Sequence, residues 1–504
     1  MAKRRLTVMP TLGFLTEGLF NAGVCADLPI SAIRIDSRRV EPGDLFIAQD
    51  GHHTSGTNFI NHAIQRGAVA VLAEAGTGIH PASVPVPVYP VTDLRSKTGQ
   101  IAARFYGDPS RDMNIVGITG TNGKTSVAYY LAQALSENNA QPVGIIGTLG
   151  HGVLDNLTPA ANTTPDVITI NQLLSGFLSR GIHDAVMEVS SHALEQERVN
   201  NICFTSAVFT NLSRDHLDYH ADMSVYGRAK KRLFAAKGLK NAVINTDDLF
   251  GQELAGELEN HLNVISYGIQ DEHFRGNKPK ASVTASIKHQ GIDSLVLDIS
   301  SPWGRADLQA RLSGRFNAYN LLAALVVLCL RGLSFDTALD SLSRVRTVPG
   351  RMEFFGNKAT AKIFVDYSHT PDALQQALQS LRELCQGKLI CVFGCGGDRD
   401  RGKRPEMGKI AEQYADRVIL TSDNPRNEPS DQIIRDISAG MQGTVPVEIQ
   451  ADRALAIRSA IASSTPQDVV LIAGKGHETY QEIGSKRLPF SDRQLVRNIL
   501  EGQG

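Results

Sequence analysis

The sequence carries almost no net charge, and this lack limits the partners that it attracts at long range. Its 504 residues include 51 Lys and Arg against 52 Asp and Glu, a formal net charge of -1. A chain without an excess of positive charge exerts no general pull on nucleic acid or on an anionic membrane surface. We therefore expect no nucleic acid and no membrane as partners, and we expect basic residues to act locally in clusters.

Long hydrophobic runs are also missing. The longest apolar run, 321–330, is too short to span a bilayer and predicts a buried helix. The start of the chain, MAKRRLTVMPTLGFLTEGLF, begins like a secretion signal but contains Pro10 and Glu17 and lacks a small-x-small cleavage site. These features predict a cytoplasmic protein, which we expect to be a monomer.

Cysteines are few and scattered. None of the six belongs to a C-x-x-C pair, and most lie in apolar surroundings; they are Cys25, Cys203, Cys329, Cys385, Cys391 and Cys395. Because the paired spacing of a metal site is missing, we expect reduced thiols in the core.

The segment GITGTNGKT, 117–125, is the strongest functional signal in the chain. It lies between an apolar run that predicts a strand, 114–119, and an amphipathic stretch, 126–135. A strand, a glycine turn and a helix N-terminus direct free N–H groups and the helix dipole to one point, where phosphates bind. Lys124 would contact the outer phosphates, and the Thr125 hydroxyl would complete the shell of a magnesium ion. The spacing departs by one position from the strict G-x-x-x-x-G-K-[ST] pattern, and an ordinary glycine-rich turn is the alternative.

Predicted strands and helices alternate along the chain and indicate an α/β fold. At roughly 150 residues per domain the length predicts about three domains, which we place at 1–97, 98–346 and 347–504. In the second and third, strands end in polar residues, as expected where functional groups follow parallel strands. The turn GCGGDRDRG, 394–402, has Arg399 where G-x-G-x-x-G has its last glycine, which disfavours hydride chemistry.

Two polar clusters follow strands downstream of the glycine-rich loop. Glu188 ends a strand in MEVSSHAL, where a carboxylate is placed to hold the same Mg²⁺ as Thr125, although a lone surface glutamate is the alternative. NLSRDHLDYH, 211–220, holds two histidines and two aspartates. Zinc is one possibility for this segment, but the many oxygen groups and the lack of cysteine favour magnesium, with His216 as the best candidate ligand.

Polar residues also follow three strands in the last third of the chain. They are Arg399, the DNPR segment at 423–426 and the GKGHE segment at 474–478. Open α/β sheets form their binding crevice at such strand ends. An arginine beside a carboxylate suits a zwitterionic amino acid, because the arginine pairs with its carboxylate and the carboxylate with its ammonium.

Taken in order, the motifs resemble those of the Mur ligases along nearly the whole chain. They are TGTNGKT, TTPD, MEVSSHAL, NLSRDHLDYH, GRFNAYN, PGR, DYSHTPDAL, GCGGDRDRGKRP, DNPR and GKGHE. In that family DNPR accompanies the use of meso-diaminopimelate, whereas lysine-adding members usually lack its arginine. The resemblance implies an N-terminal domain for the UDP-sugar, a central P-loop ATPase with a mostly parallel sheet, and a C-terminal Rossmann-like domain for the incoming amino acid.

The activity that this resemblance implies is an ATP-dependent amide ligation in peptidoglycan precursor synthesis. The enzyme would add meso-2,6-diaminopimelate to UDP-N-acetylmuramoyl-L-alanyl-D-glutamate (UDP-MurNAc-L-Ala-D-Glu) through an acyl phosphate, with ATP as co-substrate and Mg²⁺ as cofactor. A lysine-adding member with the same chemistry is the nearest alternative. Folylpolyglutamate synthase shares the phosphate loop but is not expected to carry DNPR and GKGHE together. A nucleotide-dependent switch would need no second amino-acid site.

The resemblance also implies roles for individual residues. UDP-sugar contacts fall on Ile35, Ser37, His52, His53 and Thr54. The peptide end of that substrate maps to Asn162, Thr163, Thr164, Ser190, Gln196 and Arg198. ATP maps to Gly120, Thr121, Asn122, Gly123, Lys124 and Thr125, with Asn317, Arg351 and Asp366 as helpers. Diaminopimelate maps to Arg399, Asp423, Asn424, Pro425, Arg426, Gly474 and Glu478.

The meaning of Lys230 depends on this resemblance. Its surroundings, YGRAKKRLF, are typical of a solvated helix lysine. The resemblance implies instead that CO₂ carbamylates it, which turns a cation into a carboxylate-like group. The implied metal ligands are Thr125, Glu188, His216 and carbamylated Lys230. With Lys124, these groups would neutralise charge on the transferred phosphoryl group.

Overall fold

The computed structural model describes residues 9–51, 54–76, 84–139, 141–270, 281–357 and 359–502. The chain divides into two compact units. One comprises Met1–Gly117, Pro142–Ala207 and Arg232–Lys240, and the other comprises Ile118–Gln141, Val208–Lys231 and Asn241–Gly504. Mostly parallel sheets flanked by helices confirm the α/β class expected from the sequence. The three domain ranges given above stay predictions.

The first unit begins with a four-stranded parallel sheet. Its strands, in spatial order, are β1 (Ile33–Arg34), β2 (Leu45–Ala48), β3 (Ala70–Glu74) and β4 (Val88–Val91). Its helices are α1 (Leu12–Thr16), α2 (Ile60–Gln65) and α3 (Leu94–Tyr106). Successive side chains of a strand point to opposite faces. Leu45 and Ile47 therefore share one core with α1 and α3, and Phe46 and Ala48 share another with α2. Both faces are covered, as a parallel sheet requires.

The predicted phosphate-loop strand and helix are present. Strand β5 (Asn114–Thr119) runs into the glycine-rich turn, and helix α4 (Lys124–Asn139) follows directly. The apolar residues of β5 are buried, and this burial holds the strand in place up to Thr119. The glycine-rich turn therefore begins at a fixed position.

The rest of the first unit carries a second group of strands. They are β6 (Gly144–Gly147), β7 (Gly150–Val153), β8 (Asn156–Thr158) and β9 (Asp184–Glu188), with helices α5 (Val167–Ser179) and α6 (Ser191–Glu195). Strand β6 pairs parallel with β9 and antiparallel with β7, which pairs antiparallel with β8. The Asp166 carboxylate caps α5 by accepting from the N–H groups of Ile168 and Thr169. Glu188 is the last residue of β9, as the sequence predicts.

The chain next forms β10 (Ser206–Phe209) and α7 (Met223–Lys231), and the second unit then continues with a mixed sheet. Strands β11 (Asn241–Asn245), β12 (Asn263–Ile269) and β13 (Val283–Gln290) are parallel. Strands β14 (Leu295–Ser301) and β15 (Gly304–Ala310) add an antiparallel meander. The helices are α8 (Leu249–Leu258), α9 (Arg315–Leu330) and α10 (Phe335–Ser343). Helix α9 contains the predicted buried stretch. Across the described residues, no helix combines the length and the apolar character needed to cross a bilayer.

The last part of the second unit is a doubly wound six-stranded sheet. Its strands are β16 (Glu353–Phe355), β17 (Lys362–Asp366), β18 (Leu389–Phe393), β19 (Arg417–Leu420), β20 (Val447–Ile449) and β21 (Val469–Ala473), in the order β16-β17-β21-β18-β19-β20. Only β16 runs antiparallel to its neighbour within this sheet. The helices are α11 (Pro371–Arg382), α12 (Lys403–Tyr414), α13 (Ser430–Ser438), α14 (Arg453–Ala462) and α15 (Asp492–Leu500), and a hairpin of β22 (Tyr480–Ile483) and β23 (Lys486–Pro489) precedes the last helix.

Side-chain alternation explains why this sheet is covered on both faces. Phe364 of β17 packs in the core with α11, α12 and α13, whereas Ile363 and Val365 pack in the core with α14 and α15. Strands β21, β18 and β19 are neighbours, and their carboxyl ends therefore meet at one edge. The fold brings the segments after these three strands together.

All six cysteines are free thiols, but three of them are not in the core, where the sequence predicts all six. Cys329, Cys391 and Cys395 are buried, and the other three are half-buried. Burial raises the pKa of the Cys329 thiol to about 11, which keeps it protonated and unreactive.

Candidate functional site

The glycine-rich loop in the second unit has the backbone of a phosphate cradle. Gly120 has φ +149° and Gly123 has φ +86°, a region that residues with a side chain rarely adopt. A Cβ on Gly120 would collide with the Thr210 hydroxyl, and a Cβ on Gly123 would lie 2.6 Å from Oδ1 of Asn320. The loop therefore needs glycine at both positions.

The NLSRDHLDYH segment holds the glycine-rich loop in place. The N–H of Asn122 donates to Oδ1 of Asn211 over 2.9 Å, and the N–H of Thr121 donates to the Asn211 carbonyl over 2.8 Å. The Thr210 hydroxyl donates to the Asn122 carbonyl over 2.6 Å. Asn211 therefore positions the glycine-rich loop, a role that was not predicted from the sequence.

Lys124 and Thr125 are the first two residues of α4, directly after the glycine-rich turn, and their phosphate and metal contacts stay predictions. The Lys124 ammonium donates to the carbonyls of Gly120 and Thr121 over 2.8 and 2.9 Å, which folds its charge back over the loop. The buried Thr125 hydroxyl accepts a hydrogen bond from Nη2 of Arg351 over 3.2 Å. The structure thus brings Arg351, predicted to assist ATP binding, to the phosphate loop.

The other two predicted ATP helpers are engaged with protein groups. Oδ1 of buried Asn317 accepts from the Tyr130 hydroxyl over 2.9 Å, and its Nδ2 donates to the Ser313 carbonyl over 2.7 Å. The Asp366 carboxylate accepts from the N–H of Met352 over 2.7 Å and from the N–H of Ser368 over 3.0 Å. Asp366 thereby fixes the backbone next to Arg351, and direct nucleotide contacts of Asn317 and Asp366 stay predictions.

Asp215 is the centre of a charged cluster. Its Oδ1 lies 3.4 Å from Nζ of Lys403, and its Oδ2 lies 3.4 Å from Nε2 of His216 and 3.5 Å from Nε2 of His369. Burial alone would raise the pKa of this carboxyl, but Lys403, His216 and His369 together hold it well below its usual value. Asp215 therefore stays ionised and orients His216, the predicted metal ligand. Neither Asp215 nor Lys403 was predicted from the sequence.

Lys230 is buried and is not the solvated lysine that its surroundings suggest. It is 1% exposed, and its ammonium lies 4.1 Å from the centre of the Tyr226 ring. Burial, followed by the nearby Lys124 charge, holds the pKa of Lys230 well below its usual value, although Asp215 and Asp248 oppose this shift. A buried lysine with a lowered pKa has a larger share of neutral, nucleophilic amine.

Glu188, the fourth predicted metal ligand, belongs to the first unit and is buried there. Its Oε1 accepts from the N–H of Thr148 over 2.8 Å, and its Oε2 accepts from the Thr148 hydroxyl over 3.0 Å. A Cβ on Gly147 would collide with Oε1 of Glu188, so the carboxylate needs glycine at position 147. Its role as a metal ligand stays a prediction.

The residues predicted for the peptide end of the UDP-sugar lie together in the first unit. The Thr164 hydroxyl donates to the Glu188 carbonyl over 2.8 Å and accepts from the N–H of Ser190 over 3.0 Å. Nη1 of Arg198 donates to the Thr164 carbonyl over 2.9 Å, and its Nη2 donates to Oε1 of Gln196 over 2.6 Å. The Thr163 and Thr148 hydroxyls share a hydrogen bond of 3.1 Å.

A cavity of about 420 Å³ lies beside this group, within the first unit. It is lined by four of the predicted substrate residues, Ile35, Asn162, Gln196 and Arg198. It is also lined by three arginines that were not predicted from the sequence, Arg34, Arg39 and Arg95. Nε of Arg34 lies 3.1 Å from Oδ2 of Asp44.

Two predicted UDP-sugar contacts, Ser37 and Thr54, do not line the cavity. Ser37 is buried and its hydroxyl shares a hydrogen bond of 3.0 Å with Nδ1 of His62. Thr54 is exposed, and its carbonyl accepts from the N–H of Gly51 over 2.9 Å. His52 and His53 lie outside the described residues. These contacts stay predictions.

The ends of β18, β19 and β21 bring the predicted diaminopimelate residues to one edge of the C-terminal sheet. Nδ2 of Asn424 donates to Oε2 of Glu478 over 2.8 Å. The buried Lys475 ammonium donates to Oδ1 of Asn424 over 3.0 Å and to Oε2 of Glu478 over 2.7 Å. A Cβ on Gly474 would collide with Oδ2 of Asp423. Lys475, which was not predicted as a site residue, bonds residues of both segments.

Arg426 is half-buried with a fixed guanidinium. Its Nε donates to Oε2 of Glu482 over 3.0 Å, and its Nη1 donates to the Gly397 carbonyl over 2.8 Å. The neighbouring Pro425 carbonyl accepts from the N–H of Glu428 over 3.0 Å. Arg399 is exposed, and its Nη1 donates to the Asp398 carbonyl over 3.0 Å. Arg426 is thus held in place, and Arg399 extends into solvent.

Comparison with family models matches three successive parts of the chain. The Mur ligase family, catalytic domain, matches residues 29–106, the Mur ligase middle domain matches 118–328, and the Mur ligase, glutamate ligase domain matches 350–476. These ranges contain the N-terminal sheet, the phosphate loop and the doubly wound sheet.

Individual relatives match over nearly the full length. A UDP-N-acetylmuramoyl-L-alanyl-D-glutamate–2,6-diaminopimelate ligase of Coxiella burnetii is 47% identical over 95% of this chain and 97% of its own. A solved structure of a ligase with the same name is 34% identical, with a TM-score of 0.70 over 98% of this chain and 99% of that chain. A MurF ligase of Thermotoga maritima in complex with ADP has a TM-score of 0.62 at 18% identity over 94% and 97% of the two chains, and it shows a shared fold. By its motifs, its geometry and these full-length matches, the chain belongs to the Mur ligase family.

Proposed function

We propose that the chain is an ATP-dependent ligase that joins meso-2,6-diaminopimelate to UDP-N-acetylmuramoyl-L-alanyl-D-glutamate in peptidoglycan precursor synthesis. The observation that carries this function is the 47% identity, over 95% of the chain, to a ligase named for these two substrates. The relative of solved structure at 34% identity has the same name. The lysine-adding alternative is disfavoured because these relatives are named for diaminopimelate. A cytoplasmic monomer stays the prediction from the sequence.

The chemistry divides into two displacements. A D-glutamyl carboxylate oxygen attacks the γ-phosphorus of ATP, the bond from that phosphorus to the bridging oxygen breaks, and ADP leaves. The neutral amine of diaminopimelate then attacks the acyl carbon, phosphate leaves with the bonding electrons, and the amine loses a proton. The Lys124 ammonium and the N–H groups of the glycine-rich loop neutralise charge on the transferred phosphoryl group.

Mg²⁺ would shield the phosphates and polarise the transferred group. The described part of the chain contains no group of three His, Cys, Asp or Glu side chains arranged as a ready metal site. A carbamate on Lys230 would add the oxygen ligand that such a site needs, and the lowered pKa of this lysine favours its reaction with CO₂. Thr125 and His216 would be its partners, and a metal contact of Glu188 stays a prediction.

The site at the ends of β18, β19 and β21 fits an amino acid with two carboxylates. Arg426 and Arg399 would pair with a carboxylate, and Asp423 and Glu478 would accept from an ammonium group. Lysine lacks the second carboxylate and would leave this arginine site without its anion.

The cavity in the first unit fits the UDP-sugar. Its lining combines apolar Ile35 with amides and with the cationic side chains of Arg34, Arg39, Arg95 and Arg198. Guanidinium groups pair well with diphosphate oxygens, and we assign Arg39 and Arg95 this role.

The test is the rate of ADP release with MgATP and UDP-MurNAc-L-Ala-D-Glu, with no third substrate, with meso-diaminopimelate, or with L-lysine. We expect turnover with diaminopimelate alone. Equal turnover with lysine would refute the specificity and keep the ligase. ADP release that needs no third substrate would refute the ligase reaction itself.

A further inference from the structure

A fully buried arginine lies beneath the proposed diaminopimelate site. Arg404, near the start of α12, is 0% exposed. Its Nη1 donates to Oε2 of Glu428 over 3.0 Å and to Oδ2 of Asp436 over 2.8 Å. Its Nη2 donates to Oε1 of Glu428 over 2.9 Å and to the Gly396 carbonyl over 3.1 Å. The arginine thus grips Glu428 with both terminal nitrogens in the bidentate geometry that makes such pairs strong.

Glu428 also bonds the loop that carries Arg399. Its Oε1 also accepts from the N–H of Asp398 over 2.6 Å. Nη2 of Arg401 lies 2.9 Å from its Oε2. One carboxylate therefore joins the loop after β18, which contains residues 394–402, to the segment after β19, which contains residues 421–429.

The same two segments interlock above this pair. The N–H of Gly397 donates to the Asn424 carbonyl over 2.9 Å, and Nη1 of Arg426 donates to the Gly397 carbonyl over 2.8 Å. A Cβ on Gly397 would collide with the Pro425 carbonyl, so the two backbones are in close contact. A shift of one segment therefore moves the other. The first segment carries Arg399 and the second carries Arg426, the two arginines assigned to the substrate carboxylate.

We propose that Arg404 and Glu428 are positioning residues that set the distance between Arg399 and Arg426 in the diaminopimelate site. The inference rests on the proposed function, because it assigns that site its substrate. Neither residue touches the substrate in this proposal, since Arg404 is buried and Glu428 acts through the Asp398 N–H. Losing the pair would loosen both loops and weaken the hold on diaminopimelate, with no direct effect on the phosphate loop.

Stability alone does not explain a buried pair of this kind. Desolvation of two charges offsets most of their attraction, and well-packed apolar side chains often stabilise a fold as well as a buried ion pair does. What apolar side chains lack is the set of directed bonds to Gly396 and Asp398. Those bonds fix the loop geometry.

The experiment compares Glu428→Gln with Asp436→Asn. Both variants remove one carboxylate charge from Arg404. Asp436 bonds Arg404 and Gln432, whereas Glu428 also accepts from the loop N–H of Asp398. Initial rates of ADP release give KM for diaminopimelate, for the UDP-sugar and for ATP, together with kcat.

We expect Glu428→Gln to raise KM for diaminopimelate by about tenfold or more, because a misplaced binding group far from the chemistry has effects of this size. KM for the UDP-sugar and for ATP should not change, and Asp436→Asn should behave as the unmodified chain. Asn427→Ala is a milder second variant in case Glu428→Gln does not fold. It removes an exposed bond of 2.8 Å from Asn427 to Asp398, and it should raise KM for diaminopimelate alone by a smaller factor.

Two results would overturn the inference. One is an unchanged KM for diaminopimelate in folded Glu428→Gln, or in Asn427→Ala where Glu428→Gln does not fold, and the other is an equal rise in all three KM values. Failure of the unmodified chain to use diaminopimelate would instead refute the proposed function, so the two failures are distinct.

Discussion

Replacing Arg426 by alanine tests the assignment of the amino-acid site. The guanidinium is held at Nε by Glu482 and at Nη1 by the Gly397 carbonyl. Within the described residues, Nη2 has no acceptor of its own, and it is the edge left to meet a substrate carboxylate. Arg426→Ala removes this donor and a positive charge, and it leaves Glu482 with Arg487 as its remaining partner, at 2.8 Å.

The expected loss follows from the kind of bond removed. A hydrogen bond to a charged group contributes about 1.5–3 kcal/mol, and each 1.4 kcal/mol changes an equilibrium constant by about tenfold. We therefore expect KM for diaminopimelate to rise by about 10- to 100-fold. KM for the UDP-sugar should not change, since its proposed cavity lies in the first unit.

ADP release at varied diaminopimelate measures this effect, and Arg487→Ala is the matched control. Arg487 pairs with the same Glu482 but has a 66% exposed side chain, so its loss should leave every kinetic constant unchanged. An unchanged KM for diaminopimelate in Arg426→Ala would refute the assignment. A raised KM for the UDP-sugar in its place would show that the two sites are exchanged.

Three further predictions concern the phosphate site and the buried ion pair. Lys230→Met should lower kcat by at least about a hundredfold, the scale of losing one group that stabilises transition-state charge. Lys231→Met, at the half-buried neighbouring lysine that pairs with Glu257, should leave kcat unchanged. Full activity after exhaustive removal of CO₂ would refute carbamylation. Gly123→Ala should raise KM for ATP, because φ +86° and the Asn320 oxygen, 2.6 Å from the added Cβ, both oppose a side chain. Gly332→Ala is the control, because φ +92° strains its backbone but the added Cβ has open space. This control should leave KM for ATP unchanged. The bonds from Arg404 hold the pKa of Glu428 at about 2, below its ordinary 4.5. The contribution of Glu428 to the free energy of unfolding is therefore complete above pH 4.5 and is lost as the pH falls toward 2. In denaturant titrations at several pH values, Glu428→Gln should lack this pH-dependent loss of stability.

The sequence predicted most elements near the site because two independent signals coincide there. The strand that became β5 is an apolar run followed by glycines, and β9, β18, β19 and β21 are apolar runs followed by polar residues. Strand ends in a parallel sheet meet at one edge, so the pattern also predicted which motifs lie together at the C-terminal sheet. The antiparallel meander of β14 and β15 was not predicted, because its residues carry no motif.

The site residues that sequence analysis missed act through the tertiary structure. Asp215 precedes a histidine in a motif with two aspartates, and only its burial among Lys403, His216 and His369 distinguishes it. Arg404 belongs to a charged run, DRDRGKR, that is typical of a solvated loop, although it is completely buried. Lys230 was assigned by resemblance alone, since a lysine between an alanine and a second lysine gives no sign of burial.

The most direct test of the central claim is a competition between the two candidate amino acids. The chain is incubated with MgATP, UDP-MurNAc-L-Ala-D-Glu and equal concentrations of meso-diaminopimelate and L-lysine, and the mass of the UDP-linked product is measured. We predict a product heavier by one diaminopimelate residue, formed with one ADP for each peptide bond. A product heavier by one lysine residue would contradict the account, and ADP without any heavier product would contradict ligation.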